Sequence, residues 1–237
     1  MLDVLDAGAA DYGVRLSPGQ MAQFERYLAL LEDWSSRANL VGDTDPEVIQ
    51  RRHFLESIAL GAALREREIL RPHSEVLDLG AGAGFPGVVL KIVWPALHLT
   101  LNDATAKKTA FLSALVAALN LDDTAVVTGR AETLAHDPAH RGRFDLVLAR
   151  AVAPLPVLIE LALPFARVGG RLVTPKGSRA AAEIAASANA LAVLGGKLFA
   201  VPLAVPGPPQ TLIAVLKQRE TPAGYPRRPG MPAKSPL

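Results

Sequence analysis

The sequence of 237 residues contains no cysteine, and aromatic residues make up only 5% of it. Without cysteine the chain has no disulfide framework, no cysteine-ligated zinc or iron–sulfur centre and no cysteine nucleophile. A long apolar run is also missing, because the longest uncharged stretch, 198–216, contains four prolines and cannot form a membrane-spanning helix. The first residues are acidic and lack the basic segment that opens a signal peptide. We therefore expect a soluble cytoplasmic protein.

The charge is small overall but unevenly distributed. Residues 1–73 carry 8 basic and 12 acidic side chains, residues 74–217 carry 13 and 10, and residues 218–237 carry 4 and 1. The positive excess suits an acidic or phosphate-bearing partner, although a solvated surface without a partner explains it as well. The last segment also holds five prolines, so it forms neither a long helix nor a central strand. Its composition alone is typical of a frayed terminus.

The first 70 residues are predicted to be helical. Ser17 followed by Pro18 is typical of a helix start. The apolar residues after it recur at spacings of three and four, which gives one apolar face: Met21, Phe24, Leu28 and Leu31. A second helix is predicted to begin near Asp45.

From residue 74 onward, short apolar runs alternate with helical patterns. The predicted strands are Glu75–Leu79, His98–Asp103, Thr124–Thr128, Phe144–Leu148, Arg171–Thr174, Lys197–Val201 and Leu212–Leu216. The predicted helices are Val88–Trp94, Thr105–Leu119, Leu155–Ala166 and Ser178–Leu194. This order predicts an α/β fold over 74–217, with a doubly wound, mostly parallel sheet and helices on both faces. Ligands of such sheets bind at the carboxyl ends of the strands.

The strongest chemical signal is a glycine-rich segment, 80–87, that joins a predicted strand to a predicted helix. Glycines there let the backbone turn sharply and approach a ligand closely. Asp103 ends the next strand, where an acid can accept the hydroxyls of an adenosine ribose. Together these features predict an adenosine cofactor bound by Asp78, Gly80, Ala81, Gly82 and Asp103.

Asp78 bears on which cofactor is bound. It lies two residues before Gly80, where a carboxylate suits a cationic group better than a pyrophosphate. The loop also lacks the lysine of a P-loop. S-adenosylmethionine carries an ammonium and a sulfonium, so these residues favour it over NAD, which stays open as an alternative.

Two further loops carry candidate residues. Ala131-Glu132 follows the third strand, in the position that usually borders an adenine, although Glu132 also fits as a first-turn acid of a helix. Arg150 follows the fourth strand and suits contact with a substrate phosphate or base, or a surface ion pair. His53 is expected to be a partly buried structural histidine. We expect no metal site.

These segments resemble the RsmG (GidB) family of bacterial 16S ribosomal RNA guanine-N7 methyltransferases. The resemblance runs nearly end to end, and its most specific parts are the Arg150 segment, Lys176-Gly177 and the tail. Its other motifs are Leu31-Glu32-Asp33-Trp34 with Asn39-Leu40, Arg52-His53-Phe54-Leu55-Glu56-Ser57, Leu77–Gly87 and Leu101-Asn102-Asp103. The chain departs from the family pattern at Glu56, where Asp is usual, and at Ala104, where Ser is frequent.

The resemblance implies a class I S-adenosylmethionine-dependent methyltransferase with a small N-terminal helical cap. It implies methyl transfer to N7 of one guanine in small-subunit ribosomal RNA, and an ordered, RNA-facing tail. By the same resemblance, Gly80, Phe85, Ala131, Glu132 and Arg150 border the cofactor. Guanine N7 has a lone pair and no proton to lose, so we assign Arg150 to positioning and name no general base.

The partner is then expected to be 16S ribosomal RNA or the small subunit, with the protein acting as a monomer. The candidates for contact with the RNA backbone are Lys107, Lys108, Lys176, Arg179, Arg227 and Arg228. Three alternatives remain at this stage: a methyltransferase of the same fold acting on a small molecule or protein, an NAD-dependent oxidoreductase, and a ribosome-assembly factor that keeps a cofactor pocket.

Overall fold

The computed structural model describes residues 2–38 and 40–237. In chain order the α-helices are α1 (Asp3–Ala10), α2 (Pro18–Ala38), α3 (Pro46–Ile49), α4 (Glu56–Glu66), α5 (Gly87–Val93), α6 (Ala106–Leu119), α7 (Ala131–Leu134), α8 (Leu155–Ala162), α9 (Ala180–Ala185), α10 (Ala188–Leu194) and α11 (Met231–Lys234). A π-helical turn, Gln50–Leu55, joins α3 to α4. Asn39, part of one family motif, lies outside the described residues.

Within the described residues the strands form one seven-stranded sheet. They are β1 (Glu75–Leu79), β2 (His98–Asp103), β3 (Thr124–Thr128), β4 (Phe144–Leu148), β5 (Ala166–Lys176), β6 (Gly196–Leu203) and β7 (Gln210–Lys217). Their order is β3-β2-β1-β4-β5-β7-β6, and only the pairings of β7 are antiparallel. The predicted α/β class is confirmed.

The bounds of the first four strands match the sequence prediction, whereas β5, β6 and β7 each extend beyond their predicted bounds at both ends. Two later helices also differ from the prediction. The helix predicted over Leu155–Ala166 ends at Ala162, because Pro164 cannot continue a helix. The helix predicted over Ser178–Leu194 is divided into α9 and α10. At the break, the Ser187 hydroxyl donates to the Glu183 carbonyl oxygen at 2.7 Å, a local bond that bends helices.

Helix α2 begins where the sequence predicts, through reciprocal capping. The Gln20 amide N–H donates to Ser17 Oγ at 3.2 Å, and the Ser17 amide N–H donates to Gln20 Oε1 at 2.9 Å. Helix α3 is capped by Asp45 Oδ1, which accepts from the amides of Glu47 and Val48. The π-helical turn that follows has no counterpart in the sequence prediction.

The helical cap and the sheet share one buried apolar cluster, which includes Phe24 and Phe54 of the cap and Val88 and Leu101 of the sheet region. Helix α2 also donates side-chain hydrogen bonds to the last turns of α5 and α6. The acceptors are the carbonyl oxygens of Ile92, Val93, Ala118 and Leu119, and the donors are Gln20, Gln23 and Arg26. The division of the chain at residue 73 stays a prediction.

The C-terminal segment, residues 218–237, packs against the helices beside β4 and β5. The Arg227 guanidinium pairs with Glu160, which is fully buried, at 2.6 Å. Arg141 donates to the carbonyl oxygens of Thr221, Pro222 and Tyr225. These contacts fix the segment without regular strands. Across 2–38 and 40–237, no helix has the length and hydropathy needed to cross a membrane.

Candidate functional site

The carboxyl ends of β1, β2 and β4 meet at the glycine-rich loop, residues 80–87. Gly80 has φ +71°, and a Cβ there would lie 2.8 Å from Val152 Cγ2. Gly84 has φ +94°, and a Cβ there would lie 2.6 Å from the Tyr27 hydroxyl. The left-handed backbone and these close approaches both require glycine. The loop is therefore held tightly between the helical cap and the segment that follows β4.

Asp78 lies at the base of this loop and is almost completely buried, with 1% of its surface exposed. Its Oδ2 accepts a hydrogen bond from the Gly87 amide at 2.8 Å. Its Oδ1 has no hydrogen-bond partner among the described residues. Burial raises the pKa of the Asp78 carboxyl to about 7, against the opposing effects of the Gly87 hydrogen bond and Arg150. A buried carboxylate oxygen without a partner is a site for a cationic group.

Asp103 ends β2 and supports the loop from the other side. Its Oδ2 accepts from the Gly82 amide at 3.2 Å, and its Oδ1 accepts from the Thr105 amide at 2.8 Å. Lys108 Nζ lies 3.9 Å from Asp103 Oδ2. The structure thus brings Asp103 to the glycine loop, as the sequence predicts, and places Lys108 beside this acid.

Arg150 reaches from the end of β4 into the helical cap. Its Nη1 donates to Glu56 Oε2 at 3.3 Å and to the Arg52 carbonyl oxygen at 3.2 Å, and its Nη2 donates to His53 Nδ1. The guanidinium lies over the Phe85 ring, 5.7 Å from its centre. Burial lowers the pKa of Arg150, and the charges of Glu56 and Asp78 oppose this effect. Arg150 is therefore held by the cap while it faces the glycine loop.

The Phe85 ring stacks with two other rings, those of His53 and Tyr27. The His53 ring lies parallel to it at 4.7 Å between ring centres, and the Tyr27 ring lies on it at 5.3 Å. The Tyr27 hydroxyl donates to the Ala83 carbonyl oxygen at 2.6 Å. Sequence reasoning treated His53 as structural and did not single out Tyr27. The Arg-His motif of the family resemblance was the available signal for His53.

The predicted adenine loop contacts the C-terminal segment. Ala131 begins α7, and the Glu132 carboxylate accepts a hydrogen bond from the Gly230 amide at 2.9 Å. The His136 ring, in the same region, is hydrogen-bonded to the Pro226 carbonyl oxygen at 2.8 Å. Cofactor contact by Ala131 and Glu132 stays a prediction.

The six residues predicted to contact RNA fall into two groups. Lys107, Arg179 and Arg228 are exposed, and the other three, Lys108, Lys176 and Arg227, are half-buried. Lys176 pairs with Glu183 at 2.9 Å and donates to the Ala153 carbonyl oxygen at 2.7 Å. Glu183 in turn accepts from the Leu155 amide at 2.8 Å. Lys176 thus supports the segment after Arg150, and RNA contact by these residues stays a prediction.

This strand order, with a glycine loop after β1 and an acid at the end of β2, defines a class I S-adenosylmethionine-dependent methyltransferase. The fold is similar to that of an O-methyltransferase from Bacillus cereus determined in complex with SAH, with a TM-score of 0.54 and 17% identity over 81% of this chain and 90% of that chain. It is also similar to a precorrin-6y C5,15-methyltransferase from Geobacter metallireducens, with a TM-score of 0.51 and 14% identity over 67% of this chain and 87% of that one.

Sequence comparison is more specific. Residues 20–211 match the GidB family model, described as rRNA small subunit methyltransferase G. The chain is 44% identical to ribosomal RNA small subunit methyltransferase G of Roseiflexus castenholzii over the full length of both chains. It is 43% identical to the protein of that name from Chloroflexus aggregans, over 95% of this chain and 94% of the other.

The chain belongs to the rRNA small subunit methyltransferase G family. It is therefore an S-adenosylmethionine-dependent rRNA methyltransferase, as the resemblance predicted. The oxidoreductase alternative is wrong, and so are the reading as a small-molecule or protein methyltransferase and the reading as a non-catalytic assembly factor.

Proposed function

We propose that the enzyme transfers the methyl group of S-adenosylmethionine to N7 of one guanine in 16S ribosomal RNA. The observation that carries the proposal is the buried Asp78 carboxylate, whose Oδ1 has no partner within residues 2–38 and 40–237, at the base of a glycine loop in a chain of this family. The proposal also includes that the enzyme acts in the cytoplasm, where ribosomal RNA is found, and that it acts as a monomer.

The residues present fit S-adenosylmethionine. Asp78 would bind the cationic methionine end, and Asp103 would accept from the ribose hydroxyls while it holds the Gly82 amide. Gly80, Ala81 and Gly82 provide backbone that a ligand can approach. Phe85 would border the cofactor while its ring stacks with His53 and Tyr27. The cofactor supplies an activated methyl group on a sulfonium sulfur. Since the loop carries no lysine or arginine of its own, it does not repel that positive charge.

Positioning is the chemical task that remains for the protein. Guanine N7 attacks through its in-plane lone pair and loses no proton, so no side chain has to act as a base. Arg150 lies between the cap and the loop with its donors fixed, and a fixed guanidinium can hold guanine O6 or a phosphate. It cannot hold N7 itself, because a hydrogen bond there would occupy the reacting lone pair. Fixed geometry of this kind can supply a large part of a rate enhancement.

Contact with the RNA backbone is assigned to the exposed group, Lys107, Arg179 and Arg228, because these side chains are accessible. Each phosphate contact should change the slope of log affinity against log salt by about 0.7 to 0.9. Single Ala variants of these residues should therefore weaken RNA binding and reduce the slope. Lys176→Met should leave the slope unchanged and reduce turnover, because Lys176 supports the segment after β4. An unchanged slope in all three Ala variants would contradict the assignment.

The direct test is methyl transfer from labelled S-adenosylmethionine to 16S RNA and to small subunits from cells that lack the endogenous activity. We expect label at a single N7-methylguanine. Asp103→Asn should abolish transfer, and the exposed control Asp122→Asn should retain it. Label on another base or another atom of guanine would overturn the site specificity. No label on either substrate, with cofactor binding intact, would overturn the proposal.

A further inference from the structure

One part of the cap has no role in the proposed function: the π-helical turn Gln50–Leu55, which carries His53. π-Helical turns are rare, and they are frequent at functional sites. This one presents two groups to Arg150, the His53 imidazole and the Arg52 carbonyl oxygen, and Glu56 follows directly after it. All three groups come from the cap, and Arg150 comes from the end of β4.

The bond between Arg150 and His53 fixes the protonation state of the histidine. A guanidinium has only donors, so His53 Nδ1 must accept, and the ring proton of a neutral imidazole is then on Nε2. A protonated imidazole would bring two cations into contact, with Arg52 as a third nearby. Burial and these two arginine charges lower the pKa of His53 to about 4, which agrees with the geometry.

His53 also contacts the cofactor loop directly. Its ring stacks on Phe85 with an angle of 11° between the planes, and Arg150 lies over the same Phe85 ring. The imidazole therefore touches both the loop that carries the cofactor site and the arginine assigned to positioning. Glu56 balances the charge of Arg150, and it cannot replace the His53 acceptor because it bonds to the other guanidinium nitrogen, Nη1.

We propose that His53 is a positioning residue whose neutral imidazole accepts from Arg150 and so sets the orientation of that guanidinium against the glycine loop. This proposal rests on the proposed function only for the measurements of kcat/KM, which require the RNA substrate. The kcat/KM of the enzyme then depends on one acceptor atom of the helical cap, His53 Nδ1.

Two variants separate the acceptor from the stacking. His53→Phe keeps an aromatic ring on Phe85 and removes the acceptor. His53→Asn removes the stack and keeps an acceptor, since Asn Oδ1 is as many bonds from the backbone as His Nδ1. A hydrogen bond to a charged group is stronger than one between neutral groups, so losing it has a measurable effect. We therefore expect His53→Phe to lose at least about tenfold in kcat/KM, and His53→Asn to stay within about threefold of the parent enzyme.

A double-mutant cycle tests whether His53 acts through Arg150. In an Arg150→Met background the substitution His53→Phe should have no further effect, because the donor is gone. S-adenosylhomocysteine affinity, measured by calorimetry, gives a second readout of the same cycle that needs no RNA substrate. Equal losses in both backgrounds, or a greater loss in His53→Asn than in His53→Phe, would overturn the proposal.

The third measurement is made on the unmodified protein and does not depend on any variant folding. In the nitrogen NMR spectrum of histidine-labelled protein at pH 7, His53 should show an unprotonated Nδ1 and a protonated Nε2. A proton on Nδ1, or a charged ring, would refute the proposed acceptor. Failure of methyl transfer to ribosomal RNA would overturn the proposed function and leave this result, and the calorimetric cycle, unchanged.

Discussion

Replacing Asp78 with Asn should make the folded protein more resistant to rising pH while weakening cofactor binding. The Asp78 carboxyl has a pKa of about 7 in the folded protein against an ordinary value of 3.8, so the folded state holds this proton more tightly than the unfolded state. The resulting stabilisation is fully present below about pH 4 and is lost as the pH rises through 7. The whole difference is worth about 4 kcal/mol, of which about 2 kcal/mol falls between pH 5.5 and 8.

The assay is urea unfolding of the parent and of Asp78→Asn at several pH values. Other groups titrate alike in both proteins, so the difference between their unfolding free energies isolates Asp78. That difference should rise in favour of the variant by about 2 kcal/mol between pH 5.5 and 8. A constant penalty for the new amide, whose Nδ2 takes the place of Oδ1, shifts the curve without changing its slope.

Cofactor binding gives the complementary measurement. If Asp78 binds as the carboxylate, the affinity of the parent protein for S-adenosylhomocysteine should fall by about tenfold for each pH unit below 7. Asp78→Asn should bind more weakly at pH 8 and show no such slope. A stability difference that is independent of pH, or a parent affinity unchanged at pH 5.5, would refute the reasoning. Asp122→Asn, at an exposed position, serves as the control for the substitution itself.

Two further predictions concern stability. Arg227→Met should reduce the unfolding free energy by about 3 kcal/mol, because it leaves the buried Glu160 carboxylate without its ion-pair partner. The control Arg228→Met should change the unfolding free energy by less than about 0.5 kcal/mol. Equal effects of the two variants in denaturant unfolding would show that the ion pair does not stabilise the fold. Gly84→Ala should cost about 2 kcal/mol in the same assay, because its φ of +94° and its contact with Tyr27 both exclude a methyl group, whereas Gly224→Ala, in open space, should be nearly neutral.

The local patterns of the sequence were sufficient for most of the sheet and the base of the site. Strands β1 and β4 are short apolar runs bounded by turns, and their ends follow from composition. Asp78 and Asp103 lie at strand ends, and parallel strands bring such ends to one edge of the sheet.

The rest depends on contacts between residues far apart in the chain. Arg150 and His53 are separated by 97 positions, and Arg227 and Glu160 by 67. No local pattern indicates that Arg227 has a buried partner, so an exposed basic residue was the natural expectation. No local pattern indicates the π-helical turn either. Its departure from a regular helix accompanies its contacts with Arg150.

The hydrogen bonds from α2 bear on how this enzyme can have evolved. The last carbonyl groups of a helix have no partner within it, and the last two of α5 and of α6 accept from Gln20, Gln23 and Arg26 of the cap. The N-terminal region therefore supplies hydrogen-bond donors that two helices of the sheet region use. Recombination that exchanged it for another segment would have to deliver three side-chain donors to the same places, or leave the last carbonyl groups of α5 and α6 without these partners.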